Sequence, residues 1–266
     1  MKSLREEIQT ALQLQASAVG MNASAASTES VELMRRASEG AISGSELARF
    51  IDHTLLKADA TEAELKKLCD EAIAHLFATV CVNSGRIADA AKHLGANPTL
   101  PIAVVGFPLG AMETASKAFE TKRAIDLGAK EIDMVISIGK LKDADYDAVY
   151  ADVEAVVKAA GKTPVKVILE TGLLSQDEKV AGCVISKRAG AAFVKTSTGF
   201  AGSGATVADI SLMRNVVGFE MGVKASGGIR SRDDALKMIA AGANRVGASA
   251  SVAIVTGSTE KTQGTY

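Results

Sequence analysis

Charge of one sign, paired cysteines, metal-ligand spacings and long apolar runs are all scarce in this 266-residue chain. Each absence removes a class of function. Net charge is −1 with a pI near 6.3 and no long basic run, so nucleic acid would find no general electrostatic footprint. The three cysteines, Cys69, Cys81 and Cys183, are odd in number and widely spaced, which argues against a disulfide framework and for a reducing compartment. His53, His75 and His93 show no H-x-x-x-H or Cys/His spacing, so no metal is expected. No apolar run approaches the roughly 18 residues of a membrane span, and the first twenty residues carry Glu6, Glu7 and several Gln where a secretory signal needs an apolar core. The expectation is a cytoplasmic protein whose partners are small molecules or copies of itself.

What is present is enough for one large core: 47% hydrophobic and 23% charged residues. Leu4, Ile8, Leu12 and Leu14 fall near one face of a short helix over residues 2–15, an Ala/Ser-rich linker covers 16–30, and a second helix is expected over Val31–Ser38. From about Ser45 short apolar runs alternate with longer segments. Candidate strands are Phe50–Leu55, Ala78–Val82, Pro101–Val105, Glu131–Ile136, Val165–Leu169, Ala191–Thr196, Gly222–Ala225 and Arg245–Gly247. Thr61–Glu64 and Ser175–Glu178 match capping boxes, and Ser231 precedes two aspartates. Gly128, Gly190 and Gly242 stand where helices would end, just before the next strand. Eight strand–helix units in roughly 210 residues predict a (β/α)8 TIM barrel with an N-terminal helical extension. A doubly wound sheet would carry a Gly-rich fingerprint after its first strand, and residues 51–57 have none. The expected organisation is an extension over 1–45, a catalytic barrel over 46–256 and a polar tail over 257–266.

Two expected strands end in lysine followed by a Ser/Thr/Gly loop: Lys195 in Val194-Lys195-Thr196-Ser197-Thr198-Gly199, and Lys224 in Val223-Lys224-Ala225-Ser226-Gly227-Gly228. A strand-end lysine can simply snorkel to water, but two of them facing one pocket have a chemical use. Unit charges about 4 Å apart at an effective dielectric of about 20 repel by roughly 4 kcal/mol, about 3 pKa units. One amine is then largely neutral near pH 7. A neutral amine attacks carbonyls to form a Schiff base whose iminium nitrogen accepts electrons from an adjacent C–C bond. The residues therefore suggest a Schiff-base aldolase and leave open which lysine is the nucleophile.

Other strand ends add candidates. Asp133 lies inside the apolar run Glu131–Ile136, where a carboxylate must be paired, protonated or hydrogen-bonded; it can hold Lys224, shuttle protons, or do both. Asp52 and Thr54 suit supporting roles, Cys81 suits the core beside the substrate, and Glu170 could pair with either lysine. Three loops, Ser197-Thr198-Gly199, Ser226-Gly227-Gly228 and Gly247-Ala248-Ser249, bring small residues to the barrel end where phosphate is often bound. The expected substrate is a phosphorylated carbonyl compound.

These segments, with Asp52-His53-Thr54-Leu55-Leu56-Lys57 and Val105-Gly106-Phe107-Pro108-Leu109-Gly110, closely resemble the deoxyribose-phosphate aldolases from about residue 46 to 256. The resemblance implies reversible cleavage of 2-deoxy-D-ribose 5-phosphate to D-glyceraldehyde 3-phosphate and acetaldehyde, in deoxyribonucleoside catabolism, without metal or cofactor. It assigns the Schiff base to Lys195, the second lysine to Lys224 and the proton shuttle to Asp133. It carries phosphate contacts to Gly199, Gly227, Gly228, Gly247 and Ser249. The polar tail ending in Tyr266 resembles family tails whose tyrosine assists proton transfer. Phe200, Ala250 and Ser137 depart from residues found in some members. A homodimer is expected. The competing readings are a phosphosugar isomerase or epimerase and a non-catalytic sugar-phosphate sensor, and neither explains two strand-end lysines.

Overall fold

A computed structural model describes residues 2–17 and 27–258. Three helices come first, α1 (Leu4–Ser17), α2 (Thr28–Ser38) and α3 (Gly44–Ala48). The barrel then runs β1 (Ile51–Leu55), α4 (Glu62–His75), β2 (Thr79–Asn83), α5 (Ile87–Leu94), β3 (Leu100–Val105), α6 (Thr114–Asp126) and β4 (Glu131–Val135). It continues α7 (Ile138–Lys142), α8 (Tyr146–Ala160), β5 (Val165–Ile168), α9 (Gln176–Arg188), β6 (Phe193–Lys195) and α10 (Val207–Val217). β7 (Gly222–Ser226), α11 (Arg232–Ala240), β8 (Arg245–Ala248) and α12 (Ser251–Thr256) complete it. All strand pairs are parallel and β8 returns to β1, closing an eight-stranded barrel. The expected TIM barrel is the observed fold, and each expected strand lies within two residues of an observed one.

The local reasons are visible at the helix ends. Thr61, Ser175 and Ser231 each cap a helix and receive a returning carboxylate from Glu64, Glu178 and Asp234, three complete capping boxes. Gly128, Gly190 and Gly242 take positive φ just after α6, α9 and α11, a conformation that a side chain would strain.

Alternation along each strand sends one set of residues to the surrounding helices and the other into the barrel. Val80, Val82, Val194, Val223 and Val246 face outward into the large hydrophobic core. Facing inward on the β1–β3 side are Cys81, Ile102 and Val104, which cluster with Leu56. The inward positions of β4–β8 instead include Glu131, Asp133, Lys166, Lys195, Lys224 and Arg245, and this asymmetry positions the site.

Leu4 and Ile8 of α1 are buried in the same core as the barrel helices, with Leu12 packed against it. Leu14 does not share that face; it is 64% exposed, because two residues beyond Leu12 is more than half a turn away. No described helix is long and apolar enough to cross a membrane.

Candidate active site

The inward-facing charged residues form a closed ring of ion pairs. Asp133 is completely buried at the centre. Its Oδ2 accepts from Lys195 Nζ at 2.9 Å and from Lys224 Nζ at 2.7 Å, and its Oδ1 accepts from Lys166 Nζ at 3.0 Å. Lys224 Nζ also lies 2.5 Å from Asp52 Oδ2, an ion pair by distance without hydrogen-bond alignment. Arg245 joins Asp52 Oδ1 at 2.6 Å to Glu131 Oε1 at 3.1 Å, and Lys166 closes the ring onto Glu131. Thr79 Oγ1 donates to Asp52 Oδ1 at 2.6 Å. Phe193 forms the floor, its ring centroid 5.7 Å from Lys166 Nζ and 5.6 Å from Arg245 Cζ, within cation–π range.

Register explains the assembly. Asp133 is paired with Lys166 across β4–β5, Lys195 with Lys224 across β6–β7, and Lys224 with Arg245 across β7–β8. Neighbouring strands thus carry their ionised residues at matching heights, and the barrel's closure brings Asp52 on β1 to the same cluster.

The lysines are not equivalent. Four cations (Lys166, Lys195, Lys224 and Arg245) face three carboxylates (Asp52, Glu131 and Asp133). Lys166, Lys224 and Arg245 each contact two carboxylates, whereas Lys195 has Asp133 alone and shares that oxygen with Lys224. An uncompensated buried charge costs several kcal/mol, so Lys195 is the amine that gains most by losing its proton. Burial pushes its pKa down, Asp133 opposes this, and the Lys224 charge lowers it again; the net shift is downward. For Lys224 burial is outweighed by Asp133 and Asp52, and its pKa rises. Asp133 is held well below the usual carboxylate range although burial alone would raise it, because Lys166, Lys195 and Lys224 surround it. The same opposition lowers Asp52, through Lys224 and Arg245.

Of the residues the sequence singles out, Lys195, Lys224, Asp133 and Asp52 come together in one cluster. Thr54 does not join them by hydrogen bond: its Oγ1 donates to its own strand at Asp52 O, 2.9 Å. Cys81 lies in the apolar cluster facing the charges, and burial pushes its thiol up to about 11, unsuited to a nucleophile. Glu170 pairs with neither lysine; it accepts from Thr198. Lys166, Glu131 and Arg245 were missed. The signal was the period-two pattern itself, since Lys166 sits two residues before Ile168 and Glu131 two before Asp133 on inward positions.

The three small-residue loops meet at the carboxyl ends of β6–β8. Gly199, Gly227 and Gly228 have φ of 91°, 91° and 76°. Ala205 N–H donates to Gly227 O at 3.0 Å, locking the loop after β6 to the loop after β7. A Cβ at Gly247 would lie 2.8 Å from Ser226 Oγ and 3.0 Å from Lys224 Cε, so this glycine permits close packing beside the lysine. Ser249, half-buried, precedes α12. Phe200 is 47% exposed and meets Phe107 edge-on, with centroids 5.3 Å apart. Tyr266 lies outside the described residues.

Fold and site together define a class: a (β/α)8-barrel enzyme with a buried lysine–carboxylate cluster at the carboxyl ends of its strands. Within that class, residues 47–259 match the model of the DeoC/LacD family aldolases, and the chain belongs to that family. It is 56% identical over 222 residues to the deoxyribose-phosphate aldolase of Halalkalibacterium halodurans, covering 83% of this chain and 98% of that protein. It is 57% identical over 211 residues to that of Clostridium tetani, covering 79% and 98%. Among solved structures, a candidate deoxyribose-phosphate aldolase from Coccidioides immitis superposes with a TM-score of 0.82 at 39% identity, covering 96% of this chain and 98% of the other. The Aeropyrum pernix deoxyribose phosphate aldolase, described as a tetramer, gives 0.76 at 33% identity over 87% and 97%.

Proposed function

We infer that this chain is a deoxyribose-phosphate aldolase, reversibly cleaving 2-deoxy-D-ribose 5-phosphate to D-glyceraldehyde 3-phosphate and acetaldehyde. The observation that carries the site assignment is the unequal pairing of the two lysines, with Lys195 sharing one carboxylate oxygen and Lys224 contacting two carboxylates. Lys195 is the nucleophile. Its neutral amine adds to the C1 aldehyde of the open-chain sugar, and the carbinolamine loses water to give an iminium. The C3 hydroxyl then gives up its proton, the C2–C3 bond breaks, and its electron pair passes to C2 to form the enamine. D-Glyceraldehyde 3-phosphate leaves, the enamine is protonated at C2, and hydrolysis returns acetaldehyde and the free amine. Asp133 and Lys224, 2.7 Å apart, form the proton-carrying pair. Asp52 keeps Lys224 charged and in place; Thr54 and Cys81 support the wall; the tail residue Tyr266 assists enamine protonation.

Gly199, Gly227, Gly228, Gly247 and Ser249 bind the phosphate through the converging loops. No step calls for a metal or cofactor. The partner is the phosphosugar, with no nucleic acid or membrane, and the working form is a cytoplasmic homodimer serving deoxyribonucleoside catabolism. Residues 1–45 form an extension outside the chemistry.

Borohydride reduction during turnover of 2-deoxyribose 5-phosphate tests the mechanism. Peptide mapping is expected to place the reduced adduct on Lys195 and to find none in K195A. An adduct on Lys224 would reverse the roles, and no adduct at all would remove the imine.

A further inference from the structure

We propose that Glu170 is a positioning residue that sets the shape of the phosphate loop after β6; this rests on the reading that the loop holds phosphate. Glu170 follows β5 in a left-handed conformation, φ 60° and ψ 60°, and is 1% exposed. Its Oε2 accepts both donors of one residue, the Thr198 backbone N–H at 3.1 Å and the Thr198 hydroxyl. Having given its only proton to Glu170, that hydroxyl accepts the Phe200 N–H at 3.1 Å. Gly199, between them, is clamped on both sides by a chain of bonds that begins at one carboxylate oxygen.

The rest of the loop is fixed by packing. A Cβ at Gly172 would lie 1.6 Å from Ser203 Oγ, and one at Gly204 would lie 2.2 Å from Gly227 O. Neighbouring loops therefore hold the rim, and Glu170 holds the base. Glu170 is itself tied down, since Leu173 N–H donates to its carbonyl at 2.9 Å and Thr171 N–H donates to Thr196 O at 3.0 Å. Among the described residues its second oxygen, Oε1, is buried with no hydrogen-bond partner, so there Oε2 does the holding.

That last point makes the assignment testable. In E170Q the amide oxygen can accept both Thr198 donors while the NH2 group replaces an oxygen that holds nothing. E170A removes the acceptor, and T198V removes the hydroxyl while keeping the shape. The readout is kcat/KM for 2-deoxyribose 5-phosphate divided by kcat/KM for unphosphorylated 2-deoxyribose, measured for wild type and the three variants. The ratio is expected to fall at least about tenfold in E170A and T198V, through KM for the phosphorylated sugar, and to stay within about threefold in E170Q. Should E170A fail to fold, T198V and E170Q decide. An unchanged ratio in T198V, an equal loss on both sugars, or a loss in E170Q matching E170A would overturn the role of Glu170. A wild type with no preference for the phosphorylated sugar would overturn the phosphate reading itself and the Glu170 assignment with it.

Discussion

Lys195 owes its reactivity to what its neighbours have and it lacks. Lys166, Lys224 and Arg245 each touch two carboxylates, and Lys195 touches one oxygen already shared with Lys224. Burial and the Lys224 charge both lower its pKa, so the neutral nucleophile appears at lower pH than for a free lysine. The sign for a variant follows. K224M removes a repelling charge and frees Asp133 Oδ2 to stabilise the Lys195 ammonium, so the Lys195 pKa rises and imine formation needs a higher pH. The rate of borohydride-trapped imine formation with acetaldehyde, measured against pH, is expected to shift its rising limb to higher pH by about one unit or more. A limb that stays in place or moves to lower pH would remove Lys224 as the tuning charge. The sequence made both lysines and Asp133 legible because a lysine that ends an apolar run, and an acid inside one, are conspicuous. It hid the asymmetry, which depends on Asp52, 172 positions from Lys224 in the chain, and on Lys166, which in Val165-Lys166-Val167 reads as one ordinary charge in a strand.

At the scale of elements, strands were legible through their apolar runs and helix ends through chemistry that cannot be placed elsewhere. β6 illustrates the limit. Its expected span, Ala191–Thr196, exceeds the observed ladder, Phe193–Lys195. Ala192 N–H still donates to Val165 O and Thr196 N–H to Lys224 O, so the extended chain runs on where regular pairing stops. β7 shows why its first residue is glycine. A Cβ there would lie 2.0 Å from the Phe193 ring, inside van der Waals contact, and Phe193 is the floor under Lys166 and Arg245. Overpacking of this kind typically costs about 1–3 kcal/mol. G222A is expected to lose stability in that range by urea unfolding and to lower kcat as the displaced ring disturbs the ring of ion pairs. Wild-type values for both would mean that Phe193 has room to move.

For the whole molecule, the barrel concentrates chemistry inside while its outer helices carry the extension. α1 packs against α8, α9 and α10 and touches no strand among its main contacts. Arg188 at the end of α9 ties it down, pairing with Glu7 Oε1 at 2.8 Å and donating to Lys2 O at 3.0 Å. The sequence marked Leu4, Ile8 and Leu12 as a helical stripe but could not say what the stripe would meet, because the partner helix lies some 170 residues downstream. Burying a Leu or Ile side chain contributes about 1.5–3 kcal/mol, so Leu4 and Ile8, 7% and 2% exposed, give α1 a stabilising role. Its main contacts, on α8, α9 and α10, lie on the outer layer and not on the strands that carry Lys195, Lys224 and Asp133. A chain lacking residues 1–17 is therefore expected to melt at lower temperature than the full chain while keeping kcat and KM for 2-deoxyribose 5-phosphate within about twofold at a temperature where both are folded. A drop in kcat with the Tm unchanged would reverse the argument, making α1 part of the catalytic machinery.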